Sequence, residues 1–111
     1  MNWNWLFLLA AGVFETGFAV MLKKTEQFTR LWPTVIFGIL ALCSFLCLNK
    51  SVSGERGLPI GTAYAIWTGI GAAGAMIFGM IYYHEPATAA RIFFLALLLV
   101  AVVGLKAVSP G

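Results

Sequence analysis

An all-α integral membrane protein with four spans is the fold class this sequence predicts, and three observations carry that expectation. The chain is 61% apolar and only 10% charged, against about 45–50% apolar and about 25% charged in soluble domains. Its mean hydropathy is +0.94. The apolar residues fall into four long runs divided by short polar turns, and a bilayer core of about 30 Å takes about 20 apolar residues per helix. Four such helices use up the 111 residues, so the chain reads as a single transmembrane domain with no length left for a soluble catalytic unit.

The first span is expected over residues 3–22 and stops at Lys23 and Lys24. It lacks a basic leading segment and a small-residue cleavage site and carries an acid in its middle, so it reads as a retained helix and not a leader. The second, over 31–48, follows Arg30 and carries Pro33 near its start. A polar turn from Lys50 through Arg56, with Gly54 and Gly57, leads into the third span over 58–83. The fourth covers 86–106, with Pro86 suited to the opening turn, where its missing N–H has no intrahelical partner to lose. Trp3, Trp5, Trp32, Tyr82 and Tyr83 fall near span ends, where amphipathic rings settle at the membrane interface.

With an even number of spans, Lys50, Arg56 and Lys106 share one side of the membrane and Lys23, Lys24, Arg30 and Arg91 the other. The Lys/Arg excess sets orientation, and a difference of one residue hardly sets it. The chain is therefore compatible with both orientations. Two copies inserted oppositely would form an antiparallel dimer about an axis in the membrane plane, the symmetry that inverted repeats give larger transporters.

Glu15 lies seven residues before Leu22, about 10 Å along a helix and well inside the hydrocarbon zone. An acid there costs about 2.5–3.5 kcal/mol on insertion scales, and such residues face cavities on ion, proton or substrate paths. A structural acid would need a basic partner at the same depth, and no Lys or Arg lies deep in any span. Protonation and cation binding then compete for one carboxylate, which is sufficient for antiport. Leu8, Ala11, Gly12, Phe18, Ala19 and Leu22 share the Glu15 stripe. The small Ala11, Gly12 and Ala19 allow a neighbouring backbone to approach.

In the third span, Tyr64 and Trp67 are three residues apart on one face. An aromatic pair facing a buried acid suits a cation, through ring faces and through hydroxyl and indole donors that orient the carboxylate. By itself such a pair is ordinary packing. Gly69-Ile70-Gly71-Ala72-Ala73-Gly74 fits G-x-G-x-x-G, but a dinucleotide site needs a preceding strand and a βαβ setting. Gly69, Gly71 and Gly74, with Gly79, either soften the helix for alternating access or serve tight packing. Ser44, a hydroxyl deep in the second span, can bond a substrate, Glu15 or its own backbone.

Cys43 and Cys47 share a helix face but lack further ligands for a metal site, and His84 beside Glu85 is a solvated turn residue. No metal and no cofactor are expected. With a net charge of +3 and no basic run, nucleic acid is not an expected partner. No paired nucleophile and base, metal set or phosphate loop supports an enzyme.

The lone first-span acid, Phe28-Thr29-Arg30-Leu31-Trp32-Pro33 and Gly61-Thr62-Ala63-Tyr64-Ala65-Ile66-Trp67 together resemble the small multidrug resistance family over essentially the whole chain. Pro59 to Gly69 and His84-Glu85-Pro86 resemble its guanidinium exporter subtype more than its quaternary ammonium subtype. The resemblance implies an antiparallel, dual-topology dimer in the bacterial inner membrane that exports small cations in exchange for protons. It implies Glu15 as the shared proton and substrate carboxylate, with Ser44, Tyr64 and Trp67 around it. A guanidinium fits, because its planar donors pair bidentately with carboxylate. Phe18 stands where the subtype usually has tryptophan, which removes an indole N–H near Glu15 and points to tolerance of substituted guanidiniums. The turn from Ser51 to Gly57 is longer than usual in the family. The alternatives are a quaternary ammonium or polyaromatic cation exporter of the same fold, one subunit of a heterodimeric exporter, and a non-transporting membrane protein that uses Glu15 for assembly.

Overall fold

A computed structural model describes residues 3–109. Among these the chain forms four α-helices, α1 (Trp3–Lys24), α2 (Leu31–Val52), α3 (Ile60–Tyr82) and α4 (Ala89–Val108), and no strand. All four are long and apolar enough to cross a membrane. Helix α1 lies between α2 and α3, and α4 packs against α3.

Local chemistry sets the helix ends. Lys23 and Lys24 close α1 where positive charge meets the negative end of the helix dipole. Pro33 is the third residue of α2, inside the turn whose N–H groups have no intrahelical acceptor. The turn between α1 and α2 places Glu26, Gln27 and Phe28 consecutively at positive φ, 47°, 63° and 64°. Thr25 holds that turn by donating its hydroxyl to Leu22 O at 2.8 Å and accepting from Phe28 N at 3.3 Å.

Two boundaries differ from the sequence expectation by more than two residues. Helix α2 runs through Lys50 and Ser51 to Val52, where a polar turn was expected from Lys50. Its terminal carbonyls find donors from elsewhere: Asn4 Nδ2 reaches Ser51 O at 3.1 Å and Lys50 O at 3.3 Å, and Leu58 N reaches Ser51 O at 2.9 Å. Pro86 does not open α4. Thr88 is the N-cap, its hydroxyl accepting from Arg91 N at 3.3 Å, and a threonine that satisfies an orphan N–H defines a helix start better than a proline that merely tolerates one.

The core is formed by Trp5, Leu8 and Ala11 of α1, Leu48 of α2, Leu58, and Ala63, Ile66 and Trp67 of α3. Trp5 is thus a core residue and not an interfacial one, whereas Trp3 and Trp32 are exposed. Helix α4 contributes one buried residue, Leu95. Lysines at the helix ends lie over aromatic rings: Lys106 over Trp5 at 4.3 Å and Lys50 over Phe7 at 5.1 Å near one end, Lys23 over Tyr83 at 4.4 Å at the other. Each stem crosses apolar surface while its charge stays at the helix end.

Candidate functional site

Glu15 projects from the middle of α1 toward α3, and its side chain lies where a Cβ on Gly71 would be. Its Oε1 is buried and has no hydrogen-bond partner. Among the described residues the ion pairs are Arg30 with Glu26 and Arg91 with Glu85, both near helix ends. The acid therefore sits between two helices without a countercharge, which is costly in an apolar medium unless another group arrives.

The α1–α3 seam is made close by small residues on both sides. Gly12 faces Ile70, Gly71 faces Glu15, and Gly74 faces Thr16, whose hydroxyl donates to Gly12 O at 3.1 Å. Gly69 points elsewhere, toward Val102 of α4. A side chain at any of these four positions would press on its neighbour. Helix α3 runs through Gly69, Gly71, Gly74 and Gly79 without interruption.

Ser44 bonds neither Glu15 nor its own helix. Fully buried in α2, it donates to Ala11 O of α1 at 2.7 Å and accepts from Trp67 Nε1 of α3 at 2.9 Å. One hydroxyl thereby joins three helices one turn from the acid. The indole N–H is used by Ser44 and is not aimed at Glu15. Trp67 is buried, and Tyr64 stands against its ring at a centroid distance of 5.3 Å while remaining 54% exposed. The two aromatics share a face as their spacing requires, but only Trp67 is inside the chain.

Phe18, one turn from Glu15, belongs to a string of rings. Phe28 meets Phe37 at 5.4 Å, Phe37 meets Phe18 at 5.6 Å, Phe18 stacks on Phe45 at 6.2 Å, and Phe45 meets Trp67 at 5.4 Å. Aromatic surface thus runs from the first turn across α1 and α2 to α3. Phe28, Phe45 and Tyr64 are each more than half exposed, so the string lies open along one side.

The seating of Glu15 on Gly71 was missed by sequence reasoning, although a signal existed: Gly71 and Gly74 are three apart, as are Gly12 and Glu15. The Ser44 bond to the Ala11 backbone carried no sequence signal, because any residue supplies a carbonyl.

Comparison with known proteins follows the same lines. A family model described as Small Multidrug Resistance protein matches residues 3–98. A protein named guanidinium exporter from Proteus vulgaris is 44% identical over 106 residues, 96% of this chain and 99% of the relative. Guanidinium exporters of Citrobacter freundii and Klebsiella oxytoca are each 44% identical over 103 residues, 93% of this chain and 95% of theirs.

Proposed function

The chain belongs to the small multidrug resistance family, and from that membership we propose that it is a proton-coupled antiporter exporting guanidinium-type cations, with Glu15 as the site that protons and cargo share. Four helices long and apolar enough to cross a membrane and relatives named exporters support a multi-pass membrane transporter. The observation that carries the finer reading is the buried Glu15 Oε1 without a hydrogen-bond partner. An acid in that state gains by taking up a proton or a cation and has no reason to keep both.

The cargo is inferred from the names of the relatives and from geometry, since a planar cation presents two N–H groups to one carboxylate. Phe18 and its ring neighbours add apolar surface one turn from the acid, which favours guanidiniums bearing alkyl or further guanidine groups alongside the bare ion. The working unit is two oppositely inserted copies. Near-equal Lys/Arg on the two sides supports this, as does the open face of Phe45 and Tyr64 beside Trp67, which a second copy would cover. The membrane is the bacterial inner membrane, with no cofactor required.

The test is uptake into proteoliposomes under an imposed pH gradient, comparing guanidinium and substituted guanidiniums with tetraalkylammonium. Guanidinium-driven proton movement is expected, lost in Glu15→Gln protein that still assembles as a dimer. Preference for tetraalkylammonium would transfer the chain to the quaternary ammonium reading. Disassembly of the Glu15→Gln protein would make the acid an assembly residue.

A further inference from the structure

The α1–α3 seam that holds Glu15 opens, toward the C-terminal ends of both helices, into a cavity of about 340 Å³. It is lined from α1 by Ala19 and Lys23, from the end of α3 and the following turn by Gly79, Tyr83 and Glu85, and from α4 by Arg91. Ala19 is four residues from Glu15, about 6 Å along the axis.

The backbone that carries this cavity's carboxylate is tied to the end of α3. Glu85 N donates to Gly79 O at 3.1 Å, and the Glu85 side chain lies over Gly79, where a Cβ would overlap it. Tyr83 is fixed as well, by its hydroxyl donating to Val20 O at 3.3 Å, and Lys23 rests over its ring at 4.4 Å. Arg91 is held far less firmly. Its Nη2 is 3.8 Å from Glu85 Oε1, beyond hydrogen-bond reach, and its Nε is buried without a partner. A positive charge in the first turn of α4 also opposes the helix dipole. Both members of the pair are partly exposed, so the attraction between them is weak.

We propose that Glu85 is a second carboxylate for the cargo, met at the mouth of the seam before Glu15, and that the Arg91 guanidinium occupies it until a free guanidinium takes its place. This rests on the reading of a guanidinium-type cargo. The head group of Arg91 is the same planar fork as that cargo, but here it approaches the carboxylate only through Nη2 at 3.8 Å and makes no hydrogen bond to it. A free guanidinium can place two N–H groups on the same carboxylate. With Arg91 in place the cavity holds two positive side chains, Lys23 and Arg91, against one acid, and it repels a further cation. When Arg91 turns out to solvent the cavity is neutral and the carboxylate open. Loading is an exchange of one guanidinium for another, and in an antiparallel pair one such mouth faces each side of the membrane.

Initial rates of guanidinium uptake separate this from a structural ion pair. Arg91→Gln removes the occupant and lowers the apparent KM, whereas Glu85→Gln removes the site and raises it, each by about three- to tenfold, the scale of a rim charge acting on association. The double variant matches Glu85→Gln. Shifts in the same direction, or none, overturn the proposal, because a pair that only anchors α4 responds alike to loss of either partner. A second measurement leaves both residues native: in Glu15→Gln protein, guanidinium protects Glu85 from carbodiimide labelling, read by peptide mass. Labelling indifferent to guanidinium overturns the proposal without involving the variants' folding. A native protein that moves no guanidinium overturns the cargo reading and this proposal together, while native transport with same-sign shifts overturns this proposal alone.

Discussion

Gly71 of α3 and Glu15 of α1 share one volume: the space that a side chain would fill on the glycine is taken by the carboxylate. The pairing lets an acid sit between two helices that approach closely. It also separates two effects that are usually confounded, since the atoms met are the flexible end of a side chain and not backbone.

Gly71→Ala is therefore expected to keep the fold and displace the acid. Guanidinium transport should fall by at least tenfold, about 1.4 kcal/mol, with thermal stability in detergent nearly unchanged. Gly69→Ala meets Val102 of α4 instead and should lower stability while sparing the apparent KM. The pair of melting curves and transport rates checks both; equal transport loss in the two variants would remove the special role of Gly71.

Ser44→Ala leaves the Ala11 carbonyl and the Trp67 N–H without their partner. Interhelical hydrogen bonds in membranes average about 0.6 kcal/mol and reach about 1.7, so loss of two should cost roughly 1–2 kcal/mol in a reversible unfolding assay. Trp67→Phe removes one of the same bonds and adds a small cavity. Because the substitutions share a bond, the double variant should cost less than their sum. Strict additivity would mean that the bond contributes nothing.

Competition for Glu15 fixes the sign of the pH dependence. A protonated carboxyl binds no cation, so the apparent KM for guanidinium should rise as the pH falls on the cargo-loading side, by at most about tenfold per pH unit for one competing proton. Uptake kinetics at several external pH values measure this. A KM that falls on acidification would exclude a shared site.

Phe18→Trp restores an indole N–H beside Glu15 and enlarges the ring that packs on Phe37 and Phe45. The substrate range should narrow toward the bare ion, seen as a larger ratio of guanidinium to alkylguanidinium rates. An unchanged ratio would show that the ring string does not select cargo.

A tag on the C-terminus should be labelled from both faces of the membrane, since Lys50, Arg56 and Lys106 nearly balance Lys23, Lys24, Arg30 and Arg91. Labelling from one face alone would require a differently oriented partner chain.

The four spans and the lone acid were legible because each is a property of one segment: apolar length marks a helix, and Glu15 is conspicuous against it. Tyr64 and Trp67 were legible as a pair for the same reason. What joins segments was not. Nothing in the period of α2 says that Ser44 turns to Ala11, and nothing in α3 says that Gly69 faces α4 while Gly71 faces α1, because those facts depend on how far each helix is rotated about its axis. The end of α2 was misjudged for a related reason. Lys50 and Ser51 read as a polar turn until Asn4, from the first turn of α1, supplies donors for their carbonyls.

The hydroxyl of Ser44 stands at a crossing of α1, α2 and α3, and α4 is outside it. It acts as a clasp inside the bundle, and a shift of any one of the three helices at that level strains its bonds to the others. The fourth helix lies outside the clasp, packed on α3 and joined to it through residues 83–88. The clasp uses no atom of Glu15, so the acid is placed one turn from a three-helix junction while its carboxylate stays uncommitted to it.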